Sequence, residues 1–266
     1  MNLAEAAILG LLQGFTEFLP ISSSGHLVIS QHLFGISQPG VTFEVLVHFG
    51  TMLSIVTVFW GDLVALIKGL ANNREQKKLF ILLLVGTIAT GFVGLVLGSF
   101  FKSLFEQPVV TGFMLLITGI LVFLISRLSQ SPGGKTIEKM SYLDGVVTGI
   151  FQGIAIIPGI SRSGSTILAS LFRGLKRQAA IKYSFLLALP AIAGATLLEA
   201  IDIFRMGEIP EYLWLYLFAA FMAFLAGILS IKIFIKFLNE GKFYYFSYYC
   251  WFAGAFTILY FLIFKK

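Results

Sequence analysis

Apolar residues in this chain run in long blocks; they do not alternate with polar ones at the two-residue period of a half-buried strand. A helix needs roughly 20 mostly apolar residues to cross about 30 Å of hydrocarbon. Six blocks suit that length: Val41 to Phe59, Leu79 to Phe101, Val109 to Ile125, Ala179 to Ile201, Leu213 to Phe237 and Tyr244 to Phe264. Two further apolar blocks are broken in the middle, residues 3–35 at Pro20 and Ser22 to Gly25, and residues 143–173 at Pro158 to Gly164. Each half of a broken block is too short to span, so each block reads as a re-entrant helical hairpin that starts and ends on one side. The expected class is an all-α integral membrane protein with six transmembrane helices and two re-entrant helical hairpins.

Composition supports a bilayer as the solvent. Hydrophobic residues make up 58% of the 266 and charged ones 12%, and the mean hydropathy is +0.92, which leaves too little polar surface to cover a water-soluble globule. The single Cys250 can form no internal disulfide and supplies no metal cluster. No basic region precedes the first apolar block, which carries Glu5, Gln13 and Glu17, so it reads as part of the mature fold and not as a cleavable signal peptide. A net charge of +6 suggests nucleic acid until its distribution is considered. Most of the basic residues fall in four segments, around Lys68 to Lys78, Arg127 to Lys139, Arg173 to Lys182 and Lys232 to Lys242; Lys102, Arg205, Lys265 and Lys266 share the alternate segments with Glu106, Glu199, Asp202, Glu208 and Glu211. That is positive-inside sorting across a membrane, and it excludes a nucleic-acid partner.

The two broken blocks match each other. At a constant offset of 139, Gly10, Gln13, Gly14, Ile21, Ser22, Ser24 and Gly25 pair with Gly149, Gln152, Gly153, Ile160, Ser161, Ser163 and Gly164. Residues 1–266 therefore form one membrane domain of two repeats, 1–126 and 143–266, each a hairpin (3–35 or 143–173) followed by three spans. An odd number of crossings inverts the second repeat relative to the first, so the hairpins enter from opposite faces and their tips meet near the midplane, where such folds bind ligands. Residues 127–141, with Ser129, Ser131, Pro132, Gly133 and Gly134, form the linker between the repeats. Pro190, inside the fourth span, reads as a packing feature.

Candidate chemistry sits at the two breaks. Gln13 and Glu17 are four residues apart on the first half-helix, so they share a face beside Pro20 and could share a ligand or metal ion. A carboxylate at mid-bilayer costs about 2.5 to 3.5 kcal/mol on insertion scales, so it calls for a partner or a task; a hydrogen-bonded packing pair is the bland alternative. Ser22, Ser23 and Ser24 stand at the start of the next half-helix, where one of them can cap it and the free N–H groups can bind phosphate. Gly25 permits close backbone approach, and His26 lies one turn further on. In the second break Arg162 is the basic residue that topology places in the membrane interior, with five donors in a planar fork suited to a phosphoryl group. Ser161, Ser163 and Thr166 add hydroxyls, Gly164 permits approach, and a salt bridge between Arg162 and Glu17 is the bland reading. Glu44 and His48 look like interfacial packing, His32 is poorly placed to decide anything, and the phenylalanines look like core or lipid-facing residues. No Walker loop or metalloprotease motif is present.

The stretch from Gln13 through Glu17 and Pro20 to Ser22-Ser23-Ser24-Gly25-His26 resembles the (E/Q)-x-x-x-E and S-S-x-G-H signature of the bacterial undecaprenyl-pyrophosphate phosphatases, the bacitracin-resistance type of membrane phosphatase. Pro158 to Thr166 is similar to their P-G-x-S-R-S-x-x-T signature, and the likeness spans the chain. The resemblance implies hydrolysis of undecaprenyl pyrophosphate to the monophosphate that carries peptidoglycan and other envelope precursors, bacitracin resistance, and a plasma-membrane enzyme whose site opens to the outer face. By motif position it implies Gln13 and Glu17 as the pair linked to a divalent metal, Mg2+ or Ca2+, and Ser23 and His26 as the catalytic serine and histidine. Ser161, Arg162, Ser163 and Thr166 become the phosphate loop. Gln13 stands where many relatives carry Glu, so the metal should be held less strongly. The expected mechanism has Ser23 attacking with His26 as base; direct attack by His26, or by water, stays open. A transporter that flips a polyprenyl phosphate is the competing reading, although it has less use for Glu17, Ser23 and His26 together. A homodimer is left open.

Overall fold

The computed structural model describes residues 1–35, 41–104, 107–128, 133–206, 211–239 and 242–264. Glu106, Glu208, Lys265, Lys266 and the linker residues Ser129, Ser131 and Pro132 lie outside them, as do the side chains of Lys102 and Asp202. The described residues form helices with no β-sheet. The first broken block is α1 (Leu3–Phe18) and α2 (Ser23–Phe34); the second is α7 (Tyr142–Ile154) and α8 (Arg162–Phe172). The spans are α3 (Val41–Val58), α5 (Arg74–Leu104), α6 (Pro108–Leu128), α9 (Arg177–Met206), α10 (Leu213–Asn239) and α11 (Tyr244–Phe264). Five of the six are single helices long and apolar enough to cross a membrane; the sixth, α3, continues after a 75° bend into α4 (Trp60–Gly69), an element the hydrophobic pattern did not separate.

Each hairpin packs against a span of the other half of the chain. A β-carbon at Gly10 would lie 2.3 Å from the Ala219 carbonyl oxygen of α10, and one at Gly149 would lie 2.2 Å from the Gly86 carbonyl oxygen of α5. These are the paired glycines of the repeat, and each is needed because two backbones touch there; in lipid, where apolar burial drives little association, such close packing of small residues holds helices together. Along the middle, Phe18, Phe185, Phe234 and Phe243 form a chain of edge-on rings with centroids 5.6 to 5.8 Å apart. Phe92 and Phe252 face outward, so the phenylalanines serve both core and lipid surface.

The basic end of the bundle is tied by ion pairs. Asp144, fully buried, accepts from Arg173 Nε at 2.6 Å and from Lys135 Nζ at 3.2 Å while capping α7 through the Ser141 amide. Lys182 reaches Asp62 at 2.5 Å and so fastens α9 to α4. These contacts fix the bases of the second hairpin and of α9, which place its tip.

Candidate active site

Both half-helices that follow the breaks begin with a serine cap. Ser22 Oγ accepts from the Gly25 amide at 3.3 Å and Ser161 Oγ from the Gly164 amide at 3.1 Å, leaving the N-terminal ends of α2 and α8, with their positive dipoles, at the meeting of the two tips. Ser22 has φ 68° and is the non-glycine residue with positive φ among the described residues. Such a conformation costs on the order of 1–3 kcal/mol and persists only where the surroundings impose it. Here they do: Ser22 Oγ donates to the Ile160 carbonyl at 3.3 Å, and the Ser22 carbonyl accepts from His26 Nδ1 at 2.7 Å. The loops also touch directly, since a β-carbon on Gly25 would come within 2.9 Å of Gly159 Cα. Ser163 Oγ donates to the Leu19 carbonyl at 3.3 Å. Thr118 of α6 steadies the second loop, donating to the Gly159 carbonyl at 2.7 Å and accepting from the Ser161 amide at 3.0 Å.

Glu17 is the hub. One carboxylate oxygen accepts from the Arg162 guanidinium; the other accepts from Ser23 Oγ and, at 3.0 Å, from Gln13 Nε2. The Glu17 side chain is 3% exposed, whereas Arg162 keeps 19% of its own exposed. The guanidinium thus has free N–H groups toward the space in front of it. That space is a cavity of about 300 Å³ whose polar end is formed by Glu17, Ser22, Ser23, Ser24, Ser161 and Arg162.

The other residues singled out from the sequence are elsewhere. His26 does not reach Ser23: with Nδ1 on the Ser22 carbonyl, its Nε2 lies 2.7 Å from Tyr249 Oη of α11, the two rings stacked at 5.6 Å. The hydrogen-bond partner of Ser23 Oγ is thus Glu17 and not His26. Gln13, Gly25, Ser163, Gly164 and Thr166 stand behind the cavity wall. Thr166, fully buried, donates to the Arg162 carbonyl at 2.9 Å and shares a 2.5 Å hydrogen bond with Ser184. Successive residues of a helix point about 100° apart, so Ser163, Gly164 and Thr166 turn away from the cavity that Ser161 and Arg162 line. The glycines serve contact between the loops.

Glu44, His48, Thr90 and Gln152 do line the cavity. His48 Nδ1 is 2.7 Å from the Glu44 carbonyl, and Nε2 is 3.5 Å from the Glu17 carboxylate. The sequence held a signal for this pair, an acid and a histidine four residues apart inside an otherwise apolar span, but their position near the outer end of the block read as interfacial.

A family profile described as bacitracin resistance protein BacA matches residues 6–256. The chain is 44% identical to an undecaprenyl-diphosphatase of Halothermothrix orenii over 97% of its own length and 98% of that protein. It is 39% identical to an undecaprenyl-diphosphatase of Alkaliphilus metalliredigens over 99% of this chain and 100% of that one, and 40% identical to one of Carboxydothermus hydrogenoformans over 97% of each. With broken helices that meet at a buried carboxylate, a guanidinium and a row of serines, and with a match along almost its whole length, this chain belongs to the BacA family of bacitracin resistance proteins.

Proposed function

We propose that the chain is a multi-pass membrane phosphatase that hydrolyses undecaprenyl pyrophosphate to undecaprenyl phosphate and inorganic phosphate, returning the lipid carrier for envelope synthesis. The observation that carries the reading is the chain of contacts from Arg162 through Glu17 to Ser23 on the wall of the cavity. It joins a cation for phosphate oxygens, an acceptor and a hydroxyl in one place. The relatives' shared name supports the substrate.

Phosphoryl transfer needs charge neutralisation and an aligned nucleophile more than covalent help. Arg162 and the N-terminal ends of α2 and α8 hold the two phosphates. Ser23 Oγ, oriented by Glu17, bonds to the terminal phosphorus; its proton passes to Glu17, the bond from that phosphorus to the bridging oxygen breaks, and undecaprenyl phosphate leaves as its anion. Water then attacks the phosphoserine and its hydrogens leave on inorganic phosphate, while Glu17 returns its proton to the Ser23 oxygen, so that both Ser23 and the Glu17 carboxylate are restored. His26 acts through Ser22, holding the strained turn that presents Ser23 and Ser24.

A divalent cation fits the donors at Gln13 and Glu17. Gln13 Oε1 is a buried oxygen without a hydrogen-bond partner, and a half-turn of that amide would set it beside the Glu17 carboxylate where Nε2 now donates. Among the described residues no group of three or more His, Cys, Asp or Glu could hold a metal unaided. Mg2+ takes one or two protein ligands and fills the rest with water and substrate phosphate, so Glu17 and Gln13 would suffice to hold it. When bound, such an ion neutralises phosphate oxygens.

The test is phosphate release by purified protein in detergent, without a gradient. Arg162→Ala, Glu17→Ala and Ser23→Ala should each express and lose most of the activity. Near-wild-type turnover in all three would sink the assignment, and binding of undecaprenyl phosphate without any release from the pyrophosphate would point to a carrier instead.

A further inference from the structure

We propose that His48 is a ligand of the divalent cation, its Nε2 joining Glu17 Oε2 and Gln13 Oε1, and that this nitrogen turns the site from Mg2+ and Ca2+ toward first-row transition ions. The inference rests on the cation site proposed above at Gln13 and Glu17 and adds a third protein ligand, from a different helix. Two oxygens suffice for Mg2+, but an imidazole nitrogen changes which ion is held best. Hard carboxylate and carbonyl oxygens suit Mg2+ and Ca2+, whereas imidazole favours transition metals.

Packing on α10 sets these side chains against one another. Gly14, next to Gln13 on α1, presses on α10, for a β-carbon there would lie 2.5 Å from the Ala223 carbonyl oxygen. Gly50, two residues beyond His48 on α3, presses on the same helix, and its β-carbon would meet the Ala220 carbonyl oxygen at 2.1 Å. One turn further, Ser54 Oγ donates to the Phe224 carbonyl at 2.8 Å. With α1 and α3 both seated on one helix at backbone contact, neither can turn about its axis without a clash, so Glu17 and His48 are held facing.

A carbonyl can only accept, so at 2.7 Å from the Glu44 carbonyl His48 Nδ1 carries the ring proton, and in the neutral imidazole Nε2 is left with a lone pair. That nitrogen lies 3.5 Å from Glu17 Oε2, beyond the roughly 2.7–3.2 Å of an N–H···O hydrogen bond. Two electron-rich atoms thus face each other across a gap. Metal-binding histidines show this arrangement, with the far N–H held by a carbonyl and the near nitrogen aimed at the ion. Gln13 Oε1, fully buried, has no hydrogen-bond partner. With the amide turned over it would stand where Nε2 does, 3.0 Å from the same Glu17 oxygen. Ligands about 2.1 Å from a common ion lie about 3.0 Å apart in octahedral geometry and about 3.4 Å apart in tetrahedral geometry, close to these two separations. The remaining positions face the cavity that Glu17 and His48 line, where water or phosphate oxygens can fill them. A protonated His48 paired with Glu17 is the competing occupant of the gap.

The test is Mn2+ binding to the purified protein in detergent, read by electron spin-echo envelope modulation with inorganic phosphate present. No prenyl substrate is used, so a failure of the phosphatase reading would leave the result standing. The echo should carry the modulation of a directly bound imidazole 14N, and 15N-histidine labelling should replace it without altering the chain. His48→Gln should abolish that modulation and weaken Mn2+ by at least about tenfold. Mg2+ affinity, measured by competition, should stay within about twofold, because both oxygens remain. Mn2+ is the weakest binder of the first-row series, so its gain over Mg2+ is a lower bound for the others. Bound Mn2+ without imidazole modulation, as a protonated His48 would give, would overturn the proposal. So would no Mn2+ binding, modulation that survives His48→Gln, or an equal loss of both ions in that variant. The isotope exchange keeps the test in force if His48→Gln fails to fold.

Discussion

Glu17 holds three donors at once, from Arg162, Ser23 and Gln13, in a place where an unpaired carboxylate is expensive. Its partners should therefore be felt in two readouts. Arg162→Ala should lower phosphate release by about 10²–10³-fold, the cost of a lost preorganised donor, and also lower thermal stability in detergent by leaving Glu17 without its counter-charge. Arg162→Lys should recover stability better than activity, because an ammonium lacks the planar fork. A quenched reaction should yield phosphoserine at Ser23; phosphohistidine at His26 would displace the mechanism, since His26 Nε2 is turned toward Tyr249. Gln13→Glu adds a carboxylate oxygen where a buried amide oxygen has no partner, so half-maximal activity should need less Mg2+. A metal titration that does not move, or moves the other way, would remove Gln13 from the cation site.

At the scale of elements, the hairpins were legible because the breaks carry Pro, Gly and Ser, residues with a mechanism for ending and starting helices. The bend between α3 and α4 was not. The sequence there runs Val58-Phe59-Trp60-Gly61 with no proline, and Phe59 stands at the N-cap of α4 without a side-chain capping hydrogen bond; the Lys182 and Asp62 pair, remote in sequence, helps to hold α4 in place. Close contact between α7 and α5 gives a further expectation. Gly149→Ala, pushing a methyl to within 2.2 Å of a carbonyl oxygen, should cost about 1–3 kcal/mol through overpacking. It should lower the melting temperature more than Gly98→Ala, where nothing lies within 4 Å. Equal shifts would mean that the backbone contact yields easily.

For the whole molecule, the main consequence is that neither half of the chain is complete alone. The first hairpin packs on α10 and the second on α5, so each half leaves a backbone-width groove empty without the other. Residues 1–132 and 133–266 expressed separately should aggregate or be degraded, and should recover a single monodisperse species and phosphatase activity when co-expressed. A stable, monodisperse half would refute the interlock.

Hydrophobic block lengths, charge sorting and the internal match determined the membrane class, the spans and the two breaks, because these depend on local composition set against a bilayer of fixed thickness. The motifs pointed to Glu17, Ser23 and Arg162, and the cavity gathers them. Only the tertiary structure decided which neighbours face one another. It turned His26 toward Tyr249, gave Ser23 to Glu17 and brought His48 and Gln152 to the cavity. Those are matters of side-chain direction and of contacts between helices distant along the chain, and a run of residue types carries neither.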